Sequence, residues 1–250
     1  MTPRHFAHLE SARTIRTKGF ALTAQAVEEI WRRQAMGVIY GSAGLGKTFA
    51  VEDALSRQGD IEHYWFDFPE RTTPKWLTID LLYLLTGIEH EGEHRKLSRE
   101  LLRVLAERSR FLVVDEAQRL NRTCVEYLRH LHDRTSSKFA LLLVGGNGCW
   151  QTLSRHPMLS SRIWRRVEFE PMTTQTVLKV IPRFHPIYHD VEPELLVFVD
   201  DYLTHGNFRH WAGFTASAVD FLTGSESSSS LDEGVARAVF AKHRGGADAA

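Results

Sequence analysis

The sequence has few cysteines, no long apolar run and no net charge. Its two cysteines, Cys124 and Cys149, are too few and too far apart for a disulfide framework or a four-ligand zinc site. No run of about 18 apolar residues is present to span a bilayer. Polar residues such as His5, His8 and Glu10 interrupt the N-terminal stretch, which argues against a signal peptide. These features predict a cytoplasmic protein that does not enter a membrane.

The charge balance excludes a general attraction to nucleic acid. The 31 basic residues equal the 31 acidic ones, so any DNA contact must come from local basic patches. Hydrophobic residues make up 43% of the chain, which fits a globular protein and excludes a fibrous or wholly disordered one. A length of 250 residues allows one large domain or a core with a small appendage.

Short apolar runs alternate with longer segments of helical periodicity. Five runs have strand character, namely Val38–Tyr40, Tyr64–Phe68, Phe111–Val114, Leu141–Val144 and Val167–Phe169. Between them, apolar residues recur three and four positions apart, as in surface helices. Buried strands separated by helices predict an α/β fold with a doubly wound, parallel, five-stranded sheet.

Beyond Pro171 the strand pattern stops and helical periodicity continues at about 173–182, 193–204 and 207–222. Serines then dominate the segment before a last predicted helix at about 231–243. The predicted regions are a basic N-terminal arm (1–19), an α/β core (20–171), a small helical lid (172–224) and a Ser-rich linker with a C-terminal helix and tail (225–250). The arm is equally compatible with a frayed terminus.

The motif with the clearest chemistry follows the first predicted strand. It comprises Gly41, Ser42, Ala43, Gly44, Leu45, Gly46, Lys47 and Thr48, followed by Phe49. The spacing of glycines, lysine and threonine is that of a phosphate-binding loop. In such a loop backbone N–H groups surround the phosphates, Lys47 neutralises the outer ones and the Thr48 hydroxyl ligates Mg²⁺. The segment from Gly41 to Phe49 is therefore predicted to bind a nucleotide.

A second motif ends the third predicted strand. The apolar run Phe111–Val114 leads into Asp115 and Glu116, and ligands bind at the carboxyl ends of parallel strands. Asp115 suits the magnesium shell, while Glu116 suits orienting and deprotonating the attacking water. An acidic pair after a strand is often only a helix cap. Its position after the phosphate loop favours the catalytic interpretation.

Together these motifs resemble those of AAA+ ATPases. The resemblance implies ATP and Mg²⁺ as cofactors and a sensor residue after the fourth strand, where Asn147 follows Gly145 and Gly146. An Asn after two glycines is also an ordinary turn signal. Lys47, Glu116 and Asn147 are thus the predicted catalytic residues within one subunit.

The same resemblance implies two arginines that respond to the nucleotide. Arg162 matches the arginine finger that one subunit inserts into the site of its neighbour, and Arg165 and Arg166 are the other candidates for this role. The alternative is that this segment is a solvated basic turn. Arg209, in the run His205–Arg209, resembles the second sensor of the lid. Asn207 in that run is also a suitable helix cap.

Within AAA+ proteins the chain is most similar to ATP-dependent transposition helpers, the group of phage Mu's B protein and the target-selecting ATPases of transposons. The similar features are the Asp-Glu-Ala-Gln run at 115–118, the Gly-Gly-Asn sensor and the Gly-Asn-x-Arg lid motif. The resemblance implies homo-oligomeric rings or filaments on duplex DNA that recruit a transposase or similar recombinase. It covers residues 20 to 222.

Some of these helpers carry an N-terminal helix-turn-helix domain, whereas 19 residues before the first predicted helix leave no room for one. DNA contact is then expected from core surfaces. The candidate phosphate ligands are Arg119, Arg122, Arg129, Arg134 and Lys138. A solvated face is the alternative interpretation of these side chains.

Two other functions remain open from the sequence. One is an AAA+ ATPase that acts on a protein assembly, of secretion or signalling type. The other is a nucleotide-gated scaffold with negligible turnover. DNA-stimulated hydrolysis separates the first from a transposition helper, and single-turnover hydrolysis separates the second from a true ATPase.

Overall fold

The structure, a computed structural model, describes residues 9–59, 61–68, 72–134, 138–224 and 230–244. The strands are β1 (Met36–Gly41), β2 (His63–Asp67), β3 (Arg110–Asp115), β4 (Phe139–Gly145) and β5 (Ile163–Phe169). The helices are α1 (Lys18–Arg33), α2 (Lys47–Ser56), α3 (Pro74–Thr86), α4 (His94–Glu107), α5 (Arg122–His132), α6 (Cys149–Ser154), α7 (Pro157–Ser160), α8 (Thr174–Val180), α9 (Pro193–Val199), α10 (Phe208–Gly224) and α11 (Glu233–Arg244). The start of the predicted arm (1–8), the linker segment 225–229 and the tail 245–250 lie outside the described residues.

The five strands form one parallel sheet in the order β2-β3-β4-β1-β5. This confirms the predicted fold class. β1 and β4 are buried along their whole length, and β3 is buried up to Asp115, as their unbroken apolar runs predict for inner strands. β2 and β5 lie at the edges, and each leaves side chains exposed.

The chain divides into two compact units. The α/β unit comprises Gly19–Ala43 and Lys47–Phe169. Its core combines inner-strand residues such as Leu112 and Leu141 with Leu101 of α4 and Leu128 of α5, all at most 2% exposed. Burying such side chains contributes roughly 1.5–3 kcal/mol each before the entropy of ordering is subtracted.

The helical unit contains the described residues before Gly19, the tripeptide Gly44–Gly46 and the residues from Glu170 onward. Its core is built around Trp211 and Phe214 of α10, together with Tyr188 and Phe240. The buried Tyr188 hydroxyl forms a 2.7 Å hydrogen bond with the Thr215 hydroxyl, so it does not lack a partner. Burial raises the pKa of this phenol well above its ordinary value.

Two parts of the fold differ from the predicted elements. The short helices α6 and α7 follow Asn147, where the sequence offers too few turns for a periodic pattern. The helix predicted at 193–204 is α9 only to Val199, and a π turn then spans Asp200–Thr204. Among the described residues, none of the helices has the length and hydropathy that crossing a bilayer requires.

Candidate nucleotide-binding site

Three neighbouring strands of the sheet, β3, β4 and β1, end at one edge. β1 leads into Gly41 and the phosphate loop, β3 ends at Asp115, and β4 ends two residues before Asn147. Parallel strands run in the same direction, so their carboxyl ends meet where ligands bind in open α/β sheets. The topology therefore brings together motifs that lie more than a hundred residues apart in the chain, such as Ser42 and Asn147.

The phosphate loop begins with a glycine that no other residue can replace without rearrangement. Gly41 has φ +142°, and an added Cβ would lie 2.2 Å from the carbonyl oxygen of Phe169. The Lys47 ammonium donates to the carbonyl oxygens of Gly41 and Ser42, both at 2.8 Å. Lys47 is thus held at the start of the loop, and it also begins α2.

The segment Gly44–Gly46 of the loop belongs to the helical unit. Gly44 and Gly46 have positive φ angles, +82° and +89°. In the remainder of the motif, Ala43 is exposed and Leu45 is buried. Phe49 leaves 42% of its surface exposed although its ring lies 6.1 Å from that of buried Phe20. An exposed aromatic ring one residue after Thr48 offers an apolar surface beside the phosphate loop.

The Thr48 hydroxyl lies beside the first carboxylate of the second motif. Thr48 Oγ1 donates to Asp115 Oδ2 at 3.3 Å. The two groups are provided by α2 and β3 and converge although 67 positions separate them. Their oxygens are hard ligands of the kind that Mg²⁺ prefers.

Asp115 is largely shielded from solvent beside other acids, and its pKa is raised above the ordinary value. Burial is the main cause, and the nearby charges of Glu116 and Asp67 add to it, against hydrogen bonds from the Glu116 N–H and the Thr48 hydroxyl. Asp67 is the register partner of Asp115 at the end of β2. The sequence interpretation missed Asp67, although a polar residue at a strand end was the available signal.

Glu116 is held by a specific set of contacts. Its backbone adopts φ 55° and ψ 32°, a conformation that costs a residue with a side chain free energy. The Gln118 amide donates to Glu116 Oε2 at 2.5 Å, and Arg119 Nη2 lies 3.5 Å from the same oxygen. The sequence interpretation gave Gln118 no role of its own.

The predicted sensor residue reaches the phosphate loop. Asn147 Oδ1 accepts a 2.9 Å hydrogen bond from the Ser42 hydroxyl. Asn147 itself is exposed, whereas the strand behind it is buried. The amide therefore lies at the surface of the site, next to the residues that would surround phosphates.

The three finger candidates have different partners. Arg162 donates to Asp133 at 3.0 Å, Arg165 makes two 2.7 Å hydrogen bonds to Glu29, and Arg166 lies 4.8 Å above the Trp150 ring. Burial opposes ionisation of Asp133, yet Arg162 and Arg129 together lower the pKa of Asp133. Among these three arginines, Arg165 has the forked geometry of a fixed structural pair.

Arg209 belongs to the helical unit. Its backbone N–H donates to the carbonyl oxygen of Gly44 at 2.9 Å and to Asn207 Oδ1 at 3.0 Å. Buried Asp200 organises the preceding turn, because its Oδ1 accepts from the Gly206 N–H and from the Trp211 indole. Asp200 was also missed, since nothing in the sequence separates it from an acid on a polar helix face.

The predicted phosphate ligands on and around α5 are mostly paired with acids. Arg119, Arg122 and Arg129 form ion pairs with Glu116, Glu126 and Asp133. Arg134 and Lys138 are exposed.

A cavity of about 270 Å³ lies beside them, lined in part by Arg122, Arg129, Arg155 and His156. Arg155, which the sequence interpretation did not select, forms no ion pair within the described part of the chain. Arg155 therefore adds an exposed basic side chain to this surface.

Comparison with known proteins finds similarities over the same region. Residues 30–153 match the model of a family described as AAA domain. A curated relative, "Potential ATP-binding protein" of Staphylococcus aureus, is 23% identical over 239 residues, covering 78% of this chain and 83% of that protein. The matched segment contains the phosphate loop, both carboxylates and Asn147.

Three solved structures illustrate the similarity in fold. The Thermotoga maritima RuvB Holliday junction branch migration motor is 18% identical, with a TM-score of 0.61 over 91% of this chain and 70% of that one. The Aeropyrum pernix ORC1 protein in complex with DNA is 13% identical, with a TM-score of 0.67 over 95% and 68%. Cdc6p from Pyrobaculum aerophilum is 14% identical, with a TM-score of 0.66 over 87% and 65%.

At these identities the structural matches establish the fold, and the family model adds a similarity over residues 30–153. The phosphate loop at Gly41–Thr48 and the carboxylates after β3 lie within the matched residues. Residues 30–153 of this chain therefore resemble an AAA domain, and the chain has the α/β core fold of AAA+ proteins.

Proposed function

We propose that this chain is a Mg²⁺-dependent ATPase that assembles on duplex DNA and recruits or regulates a transposase or similar recombinase. The observation that carries the enzymatic part is the meeting of Thr48 with Asp115 at 3.3 Å. This pairing supports the proposal, because a phosphate-bound Mg²⁺ would take a hydroxyl and a carboxylate oxygen as its protein ligands.

The hydroxyl of Thr48 and the carboxylate of Asp115 suit Mg²⁺ better than they suit a metal ion whose ligands all come from the protein. In the described part of the chain, no group of three or more His, Cys, Asp and Glu side chains could hold a metal ion. Mg²⁺ needs no such cage, since it keeps waters and takes one or two protein ligands with substrate phosphates. When bound, it neutralises charge that develops on the phosphate oxygens.

The remaining residues supply the steps that hydrolysis requires. Lys47 neutralises the outer phosphates, and Glu116 orients the attacking water and accepts its proton. Asn147 holds the water without competing for magnesium, because a neutral amide is a weaker metal ligand than a carboxylate. The 2.9 Å bond between Asn147 and Ser42 supports this placement.

Assembly would complete the site through Arg162 of a neighbouring copy. A guanidinium supplied in trans stabilises the charge of the transferred phosphoryl group and makes turnover depend on oligomerisation. Among the rivals, Arg165 is fixed to Glu29 by two hydrogen bonds and Arg166 is stacked on Trp150. Among the described residues, the Arg162 side chain is held by one hydrogen bond, to Asp133, which favours Arg162 over Arg165 as the finger.

The DNA-directed part of the proposal rests on fold neighbours and on surface charge. Two of the similar structures are a Holliday junction branch migration motor and a protein in complex with DNA. In the cavity near α5, Arg155 forms no ion pair among the described residues, and its guanidinium is the group that we propose for a backbone phosphate. A neutral chain gains DNA affinity chiefly by pooling such contacts over several copies.

Recruitment of a transposase is the finer part of this proposal. Its support is the resemblance of the Asp-Glu-Ala-Gln run, the Gly-Gly-Asn loop and the Gly-Asn-x-Arg turn to transposition helpers. Affinity capture with a candidate transposase, with and without ATP and DNA, tests it directly. Capture that ignores both ligands would count against a helper role.

ATP-dependent binding to a labelled duplex tests the DNA-directed part. Fluorescence anisotropy should show binding that needs ATP and weakens steeply between low and moderate salt. Arg155→Ala should weaken it several-fold, by roughly one phosphate contact per copy. Arg95→Ala removes the same charge from the exposed face of α4 and is the matched control. Equal binding with and without ATP, or insensitivity to salt, would contradict the proposal.

A further inference from the structure

The side chain of Gln118 connects the end of β3 to the loop that follows β4. Its Nε2 donates to Glu116 Oε2 at 2.5 Å, and its Oε1 accepts from the Gly146 backbone N–H at 2.7 Å. Gln118 is half-buried in a 3₁₀ turn over Ala117–Arg119. A single side chain thus contacts both the proposed base and the residue before the proposed sensor.

The chemistry of the two partners requires an amide at this position. A carboxylate only accepts hydrogen bonds and a backbone N–H only donates, so the bridging side chain must do both. The same requirement fixes the orientation of the Gln118 amide. Its reversal would place two acceptors against each other at Glu116 and two donors against each other at Gly146.

Both ends of the bridge are sterically defined. A Cβ on Gly145 would lie 2.9 Å from Gln118 Oε1 and 2.4 Å from Cys149 Sγ, so the loop approaches Gln118 only because position 145 lacks a side chain. At the other end, the left-handed backbone of Glu116 turns the chain into the 3₁₀ turn. The Arg119 N–H closes that turn on the Glu116 carbonyl at 2.8 Å.

The bridge continues to the phosphate loop. Asn147 follows Gly146 directly and accepts the hydrogen bond from Ser42. We infer that Gln118 is a positioning residue that ties the Glu116 carboxylate to the sensor loop, Gly145–Asn147, and thereby couples water activation to the phosphate loop. The inference rests on the proposed ATPase function, in which Glu116 is the base. A shift of Asn147 toward a phosphate would move Gly146 and, through Gln118, Glu116.

Two substitutions separate the two ends of the bridge. Gln118→Leu removes both hydrogen bonds at similar volume. Gln118→Glu keeps an acceptor for the Gly146 N–H but replaces the donor to Glu116 with a like charge. Gln151→Leu, on the exposed side of α6, makes the same chemical change outside the bridge and is the control.

Two readouts distinguish positioning from simple loss of structure. The kcat and KM for ATP are measured for each variant, and hydrogen exchange of the Gly146 amide is followed by NMR with labelled glycine. Gln118→Leu should lower kcat about tenfold to a hundredfold, with KM within about twofold of the wild-type value. It should also speed exchange at Gly146 several-fold, since the amide loses its acceptor.

Gln118→Glu should lower kcat as strongly while Gly146 stays protected. Wild-type kcat in either Gln118 variant would overturn the inference, as would unchanged Gly146 exchange in Gln118→Leu. An equal effect of Gln151→Leu would do the same, because it would indicate general destabilisation. Failure of the wild-type protein to hydrolyse ATP would instead reject the ATPase proposal and, with it, the coupling to water activation. Gly146 exchange would then still decide whether the bridge exists.

Discussion

Thr48 and Asp115 are joined by a 3.3 Å hydrogen bond between the first turn of α2 and the last residue of β3. Neither residue is distinctive by itself, since threonines begin many helices and acids end many strands. Their contact joins the two motifs into one site. The expected consequences can be tested at single residues.

Lys47→Ala should abolish detectable nucleotide binding or lower the affinity by at least about tenfold, because the ammonium is the charge that the phosphate loop presents to the phosphates. Titration with a fluorescent ATP analogue measures the change. Lys75→Ala removes an exposed lysine from the start of α3 and should bind normally. Unaltered affinity in Lys47→Ala would place the nucleotide elsewhere.

Glu116→Gln should retain ATP binding and lose about a hundredfold or more in turnover, since an amide cannot accept the proton of the attacking water. Single-turnover hydrolysis with labelled ATP is the measurement, and ATP-bound assemblies should persist longer in this variant. Glu89→Gln, in an exposed loop, provides the control. Normal hydrolysis by Glu116→Gln would remove Glu116 from the role of base.

Arg162→Ala should leave the nucleotide affinity of the isolated subunit nearly unchanged and lower turnover in the assembly by at least about tenfold. Asp133 retains its 2.7 Å ion pair with Arg129 in this variant, so the local fold should persist. Turnover measured across protein concentration checks the prediction. Arg165→Ala should lower the melting temperature slightly and spare turnover, and the reverse pattern would make Arg165 the finger.

His132 should make the stability of the α/β unit depend on pH. Burial lowers the pKa of His132 below its ordinary value of 6.5, and its Nε2–H donates to the Gln34 carbonyl oxygen at 3.0 Å. The unfolded chain therefore takes up this proton first as pH falls below about 6.5, and stability is lost from there down to the folded-state pKa.

His132→Gln should flatten that loss in melting temperature between about pH 7.5 and 5.5. His130→Gln, on the exposed side of the same helix, should leave it in place. An unchanged slope in His132→Gln would mean that the imidazole is solvated in the folded protein.

The fold could be predicted from the sequence because the patterns of strand and helix are local and recur several times along the chain. Runs such as Phe111–Val114 are apolar at every position, which is typical of an inner parallel strand, and the helical segments between them provide the crossover connections. The phosphate loop was equally readable, since its glycines and Lys47 meet fixed backbone and charge requirements.

The roles of residues that act through tertiary contacts could not be predicted from local sequence patterns. Asp67 becomes part of the acidic cluster only through its register with Asp115. Gln118 matters because its amide meets Gly146, 28 positions away. The partners of the arginines could not be predicted either. The two hydrogen bonds from Arg165 to Glu29, for example, join residues 136 positions apart.

The rate of ATP hydrolysis, measured with and without long duplex DNA at low and moderate salt, tests the central claim most directly, with electron microscopy of the same samples. The account predicts Mg²⁺-dependent hydrolysis whose rate changes on DNA, together with ATP-dependent polymers that dissociate as salt rises. Hydrolysis that ignores DNA, without polymers, would contradict the DNA-directed role and favour an ATPase that acts on a protein assembly. Absence of hydrolysis under all conditions would contradict the ATPase itself and leave a nucleotide-gated scaffold.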